Sequence, residues 1–171
     1  MMQPLVVSDA NIFIDLWQID LLEEFFQLPL KIHTTDYVID ELTKGDIQTK
    51  ILYYSDHKKL IIQEFDGDES EAISDIYNNQ NGLSYTDCSV LFLAQKNECK
   101  LLTGDNKLNR VATKEGIDVH GLLHVFDLLV EEHQILPPQK AVQCLKSLIS
   151  SNARLPVEEV ESRIKKWQNK K

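Results

Sequence analysis

Short apolar runs alternate with stretches of helical spacing along nearly the whole chain, and this alternation limits the fold more than any other feature. Pro4–Ser8, Ile32–Thr34, Leu60–Phe65, Lys100–Thr103 and Ile117–His120 have the length and apolar content of buried strands. The spacing predicts a helix over Asn11–Phe26, with Ile12, Leu16, Ile19, Leu22 and Phe26 on one side and a break near Asp20. Further helices are expected over Asp36–Thr43, stopped by Gly45, and over Thr49–His57. Another starts near Asp68, with Glu69 and Glu71 where the helix dipole favours anions, and ends before the turn signal Asn81-Gly82. Ser84–Glu98, Asn106–Glu115 (closed by Gly116) and Leu122–Glu132 complete the pattern. Strand followed by helix, repeated, predicts an α/β fold: three α/β/α layers around a mostly parallel sheet.

After the Pro137-Pro138 step two more helices are expected, the last with Val157, Val160, Ile164 and Trp167 on one side. The expected organisation is a core over residues 1–136 and a helical extension over 137–171 packed on the same domain. No apolar run approaches the ~20 residues that span a bilayer. The Met1-Met2 start lacks a basic segment followed by a long apolar one, so no signal peptide is expected. Cys88, Cys99 and Cys144 have no metal-ligand spacing and cannot all pair, which suits a reducing cytoplasm.

The formal net charge of -9 argues against a simple electrostatic nucleic-acid binder. The charge is uneven, however: -14 over residues 1–137 and +5 over 138–171. Two readings of the basic tail are open. Its lysines hold an RNA backbone, or its apolar side docks on the core while the lysines face water.

Four acids fall where open α/β sheets place functional groups, beyond the carboxyl ends of the strands. Asp9 follows the first strand, Glu41 lies in the helix after the second, Asp87 is in the first turn of Ser84–Glu98, and Asp105 follows the fourth strand. Each has a plain structural alternative. Asp9 and Asp105 are placed to cap helices, Ser84-Tyr85-Thr86-Asp87 is a capping box, and Glu41 reads as a surface acid.

The contexts shift the balance. Val6-Val7-Ser8-Asp9-Ala10-Asn11, Val38-Ile39-Asp40-Glu41-Leu42, Ser84-Tyr85-Thr86-Asp87 and Thr103-Gly104-Asp105-Asn106 occur in this order and at these intervals. Over residues 5–120 the chain thereby resembles the PIN-domain family. The resemblance implies a Rossmann-like fold and a ribonuclease dependent on Mg²⁺ or Mn²⁺. It makes Asp9, Glu41, Asp87 and Asp105 the metal ligands, with Asn11 and Thr103 in support. It also implies RNA as substrate, products with 5′-phosphate and 3′-hydroxyl ends, and, for VapC-type toxins, an antitoxin partner and a homodimer. Gly67-Asp68-Glu69-Ser70-Glu71-Ala72-Ile73 is similar to a PIN-related subgroup in which this segment supplies an acid, so Glu69 is a candidate auxiliary ligand; a solvated helix start is the alternative. The residue types suit the chemistry. Hard divalent ions prefer oxygen ligands, and two of them ~3.5–4 Å apart support in-line displacement at phosphorus.

Other constellations are weaker. His120 and His124 have i,i+4 spacing but no third zinc ligand. Cys88 has no readable base beside it, and Lys107 and Arg110 could meet a phosphate or only water. A receiver domain would place a lysine where His120 stands, and a haloacid-dehalogenase-like phosphatase a second acid at Asn11. A PIN fold that binds without cutting is the remaining rival.

Overall fold

The computed structural model describes residues 3–80, 82–151 and 154–170. The expected turn at Asn81 and the Met1-Met2 start therefore lie outside the described residues.

The described strands are β1 (Leu5–Ser8), β2 (Lys31–Thr35), β3 (Leu60–Gln63), β4 (Lys100–Leu102) and β5 (Val119–His120). They form one five-stranded sheet in the order β3-β2-β1-β4-β5, and every pairing is parallel. The path steps outward from β1 to β3, then crosses back to β4 and β5. Right-handed crossovers in both directions put the helices of the two halves on opposite faces. Between β1 and β4 the direction reverses, and the carboxyl ends of these strands are where open α/β sheets place their functional groups. The fold is the three-layer α/β/α arrangement expected, with a wholly parallel sheet.

The first half contributes α1 (Ala10–Gln18), α2 (Leu22–Gln27), α3 (Asp36–Glu41) and α4 (Ile47–Asp56). The expected break falls at Asp20, whose φ is +57°. Phe13, Phe25 and Phe26 pack together, and Phe26 stacks on Tyr54 of α4 with centroids 4.1 Å apart. The stop at Gly45 differs from expectation: α3 ends at Glu41, four residues earlier. Gly45 instead turns the chain at φ +54° beneath Trp17, whose ring would stand 2.9 Å from a Cβ there. Trp17 Nε1 donates to Asp46 at 2.9 Å, which fixes that turn.

The second half contributes α5 (Gly67–Asn79), α6 (Tyr85–Asn97), α7 (Asn106–Lys114) and α8 (Leu122–Asp127). α6 lies on the sheet with Val90, Leu91, Leu93 and Ala94 buried. Buried Thr35 and Ser89 join β2 to it through a 3.0 Å hydroxyl contact. The helix expected over Leu122–Glu132 continues beyond Asp127, but Leu128–Glu132 is π-helical. A π turn keeps the same buried side, so hydrophobic spacing alone does not reveal it.

The tail forms α9 (Pro138–Ser150) and α10 (Val157–Gln168). Trp167 and Val160 are fully buried, and Trp167 Nε1 donates to Glu131 at 2.7 Å. Arg163 grips Asp127 with two hydrogen bonds of 2.8 and 2.7 Å. Lys166 and Lys170 stand 2.8 and 2.7 Å from Glu131, holding its carboxyl down at about 2, and Lys140 stands 3.1 Å from Glu24. The apolar side of the tail docks on the core, as in the second reading, but Lys140, Arg163, Lys166 and Lys170 pair with core acids where that reading has the lysines facing water. Reversing Lys165 and Lys166 to glutamate is expected to lower stability by about 1 kcal/mol or less, as for exposed ion pairs. The slope of log RNA affinity against log salt should not move; a slope shallower by roughly 0.7 per lost contact would show the tail gripping phosphates.

Candidate active site

Asp9 directly follows β1, at the reversal between β1 and β4. Its backbone N–H donates to Leu102 O of β4 at 2.9 Å, so the two strands that flank the reversal hold it directly. Its side chain is 4% exposed. Oδ1 accepts from Ala10 N at 2.8 Å; Oδ2 accepts from Thr103 Oγ1 at 2.8 Å and Asn11 Nδ2 at 3.3 Å. Asn11 Oδ1 accepts in turn from Gly104 N at 2.9 Å, and Thr103 Oγ1 accepts from Asp105 N at 3.1 Å. Asn11 and Thr103 therefore lock the end of β1 to the loop after β4 and fix the rotamer of Asp9.

The plain capping roles are real. Asp105 Oδ1 accepts from Leu108 N at 2.8 Å and caps α7. Ser84 and Asp87 form a reciprocal capping box at the start of α6, both bonds 3.0 Å. Each role occupies one carboxylate oxygen. Among the described residues, no protein donor reaches Asp87 Oδ1, Asp105 Oδ2 or either oxygen of Glu41. Glu41, the last residue of α3, is exposed.

Electrostatics joins the four acids into one group. Burial pushes the Asp9 carboxyl up to about 7 against an ordinary 3.8, and the negative charges of Asp87 and Glu41 push the same way against its hydrogen bonds. Burial also raises Asp87, with Asp105 adding repulsion. Asp9 thus feels Asp87 and Glu41, and Asp87 feels Asp105. Among the described residues none of the four forms an ion pair, although many acids elsewhere do. Asp9 is buried, Asp87 and Asp105 are half-buried and Glu41 is exposed; a buried carboxylate repelled by its neighbours is a poor structural element, and carboxylate oxygens are the donors that hard divalent ions prefer.

The side chains as placed are not a closed cage. Among the described residues, no three His, Cys, Asp or Glu side chains stand close enough to hold an ion together. Mg²⁺ is commonly held through one or two carboxylates and several waters, which asks less of the protein than a closed cage.

Glu69 does not join this group. Its Oε1 accepts from Asp66 N at 3.2 Å in a capping box, and its Oε2 pairs with Lys96 Nζ at 2.6 Å. Lys96 lies nine residues along α6 from Asp87, roughly 13 Å at the helical rise. The Lys96 partner holds the Glu69 carboxyl below its usual range. The solvated-helix-start alternative describes it better than the auxiliary-ligand one. His120 and His124 stack at 4.1 Å, and burial lowers the pKa of His124. Burial lifts the Cys88 thiol to about 11, with Asp87 adding to it, so it is no ready nucleophile. Lys107 and Arg110 are exposed and, among the described residues, in no ion pair. Sequence spacing does not show a set of aromatic contacts between helices: Tyr37 meets Tyr85 at 5.1 Å and Tyr85 meets Tyr77 at 5.8 Å between ring centroids, with Tyr85 inside the Asp87 motif and Tyr37 directly before that of Glu41.

Capping and chemistry separate at Asp87. Asparagine keeps a capping oxygen, so Asp87→Asn should lose about 1 kcal/mol or less of stability. On the nuclease expectation drawn from the sequence, turnover should fall about tenfold or more, since asparagine lacks the charge a metal needs. Retained turnover with lost stability would reduce Asp87 to its capping role.

A family model described as a PIN domain, DUF3368, matches residues 5–169. No functionally curated protein matches the chain. The crystal structure of PAE2754 from Pyrobaculum aerophilum superposes with a TM-score of 0.54 at 15% identity, covering 76% of this chain and 100% of that one. VapBC2 from Rickettsia felis, solved bound to a DNA fragment from its promoter, gives a TM-score of 0.47 at 15% identity, covering 68% of this chain and 98% of that one.

Proposed function

This chain belongs to the PIN-domain family, and from that premise we propose that it is a divalent-metal-dependent ribonuclease that hydrolyses RNA phosphodiester bonds. One observation carries the reading: Asp9 is buried beside the reversal between β1 and β4, repelled by Glu41 and Asp87, and among the described residues no cation pairs with it.

In this reading Asp9, Glu41, Asp87 and Asp105 hold Mg²⁺ or Mn²⁺. Such ions, when bound, supply water activation and charge stabilisation for in-line displacement at phosphorus. Asn11 and Thr103 act through Asp9: they present its carboxylate in one rotamer and keep the β1 and β4 ends at fixed separation. Lys107 and Arg110, in the first two turns of α7 and exposed, would meet neighbouring phosphates in this reading. An antitoxin partner and a homodimer belong to the same proposal as features of VapC-type relatives.

The test is incubation with a mixed RNA pool in Mg²⁺, Mn²⁺ or chelator, followed by analysis of product ends. Metal-dependent cleavage leaving 5′-phosphates supports the reading. No cleavage in any metal, with the protein folded, would favour a PIN fold that binds without cutting.

A further inference from the structure

The sheet has two edge strands, and they differ. β5 is two residues long, which leaves little backbone for another chain to pair with. β3 runs over four residues, Leu60–Gln63, and pairs only with β2. Among the described residues, no backbone group outside β2 bonds to the backbone of Leu60–Gln63. Alternate residues of β3 therefore point N–H and C=O away from the sheet. Ile61, in the middle of the strand, is 50% exposed. A bare apolar edge is a template for pairing with another chain.

The flanks of β3 decide which chain. Lys58 and Lys59 precede the strand, and Glu64 and Asp66 follow it. All four are exposed, and among the described residues none is in an ion pair. Lys59 and Glu64 stand roughly 16 Å apart along an extended chain, too far to neutralise each other. A second copy laid antiparallel along this edge brings the basic end of each strand beside the acidic end of the other, twice over. A copy laid parallel would set like charges side by side.

Symmetry narrows the register. A two-fold axis perpendicular to the sheet makes the contact self-complementary and keeps every side chain on its own face. Each residue must then oppose one of the same parity, because a slip by one would flip the faces. With Ile61 opposite its counterpart in the second copy, the exposed side chain covers itself. Leu60 then falls opposite Ile62, and the lysines of each copy lie beside Glu64 of the other.

We propose that β3 pairs antiparallel with β3 of a second copy, centred on Ile61, and joins the two five-stranded sheets into one. The pairing rests on the homodimer of the proposed function and gives it an interface. It asks nothing of the carboxylates.

Sedimentation equilibrium of the full chain, without metal or RNA, tests this over a range of protein concentrations. Wild type should pass from monomer to dimer as concentration rises. Ile61→Lys puts two like charges on the axis and should weaken the dimer by more than roughly tenfold. Lys58→Glu/Lys59→Glu and Glu64→Lys each set like charges across the interface and should weaken it roughly tenfold. An equimolar mixture of these last two proteins should dimerise as wild type does, because each now complements the other. All the altered side chains are exposed, so circular dichroism should show every variant folded. A wild type that stays monomeric at every concentration overturns the proposal; an edge that receives an extended segment of another protein would give this result. A dimer unmoved by all three changes leaves the homodimer standing and overturns β3 as its interface. A mixture that dimerises no better than its components overturns the antiparallel charge pairing.

Discussion

Replacing Asp9 by asparagine is expected to cut RNA hydrolysis on the order of 10³-fold, a loss comparable to removing one charge-stabilising group from a preorganised site, and at the same time to stabilise the metal-free fold. The two effects have one cause. Asp9 is 4% exposed, and its carboxyl is held near 7 by burial and by neighbouring negative charge. Below pH ~4 the group is protonated in both folded and unfolded chains and costs nothing. Between ~4 and ~7 the unfolded chain releases the proton while the folded one retains it, so wild-type stability declines as pH rises. Above ~7 the charged carboxylate is confined in the fold and the penalty is complete. At ~1.4 kcal/mol per pH unit of displacement it reaches about 4 kcal/mol at most. Urea unfolding of metal-free wild type and Asp9→Asn at pH 4, 6 and 8 checks this. The variant should gain on wild type across that range; parallel stabilities would mean that Asp9 carries no buried charge.

Adding metal is expected to reverse the penalty. A cation bound only by the folded state stabilises it by about 2.7 kcal/mol at a hundred times its Kd. For a domain of this size that raises Tm by about 5–10 °C. The rise should grow as pH passes through ~7, because the ligand must lose its proton to bind. Asp9→Asn and Asp105→Asn should show little of it. Equal rises in all three proteins would place the bound metal elsewhere.

Much of this arrangement is legible in the chain because it depends on local order. An apolar strand ending in Asp9, and another ending in Thr103 before Asp105, suffice to predict that both acids stand at the sheet's carboxyl edge. The parallel order then brings them together, since adjacent strand ends share the reversal. What was not legible depends on partners distant in sequence. Glu69 meets Lys96 only because α5 and α6 pack side by side. Glu131 meets Trp167, Lys166 and Lys170 only because α10 returns to the end of the π-helical turn. The charge asymmetry was therefore open to two readings until those pairs were seen. The Tyr37–Tyr85 and Tyr85–Tyr77 contacts are hidden for the same reason: their members come from three helices.

The capping roles of Asp9, Asp87 and Asp105 were equally legible and equally correct. At Asp87 and Asp105 they do not compete with the proposed chemistry, because the cap takes one oxygen of the carboxylate and leaves the other without a donor among the described residues; at Asp9 both oxygens accept hydrogen bonds, so a metal would share them with Ala10, Thr103 and Asn11. Glu41 has no such second role. Its placement on the exposed end of α3 makes it the acid whose orientation depends most on what the site holds.

Binding of a divalent ion by these four carboxylates is the step on which the proposed reaction depends. Electron paramagnetic resonance of Mn²⁺ titrated with protein measures this directly, since the sharp signal of free Mn²⁺ is lost on binding. Wild type at pH 8 should remove the signal saturably, Mg²⁺ should restore it by competition, and Asp9→Asn and Asp105→Asn should leave most of it in place. A wild type that leaves the free signal untouched, or variants that remove it as well as wild type does, would contradict the account.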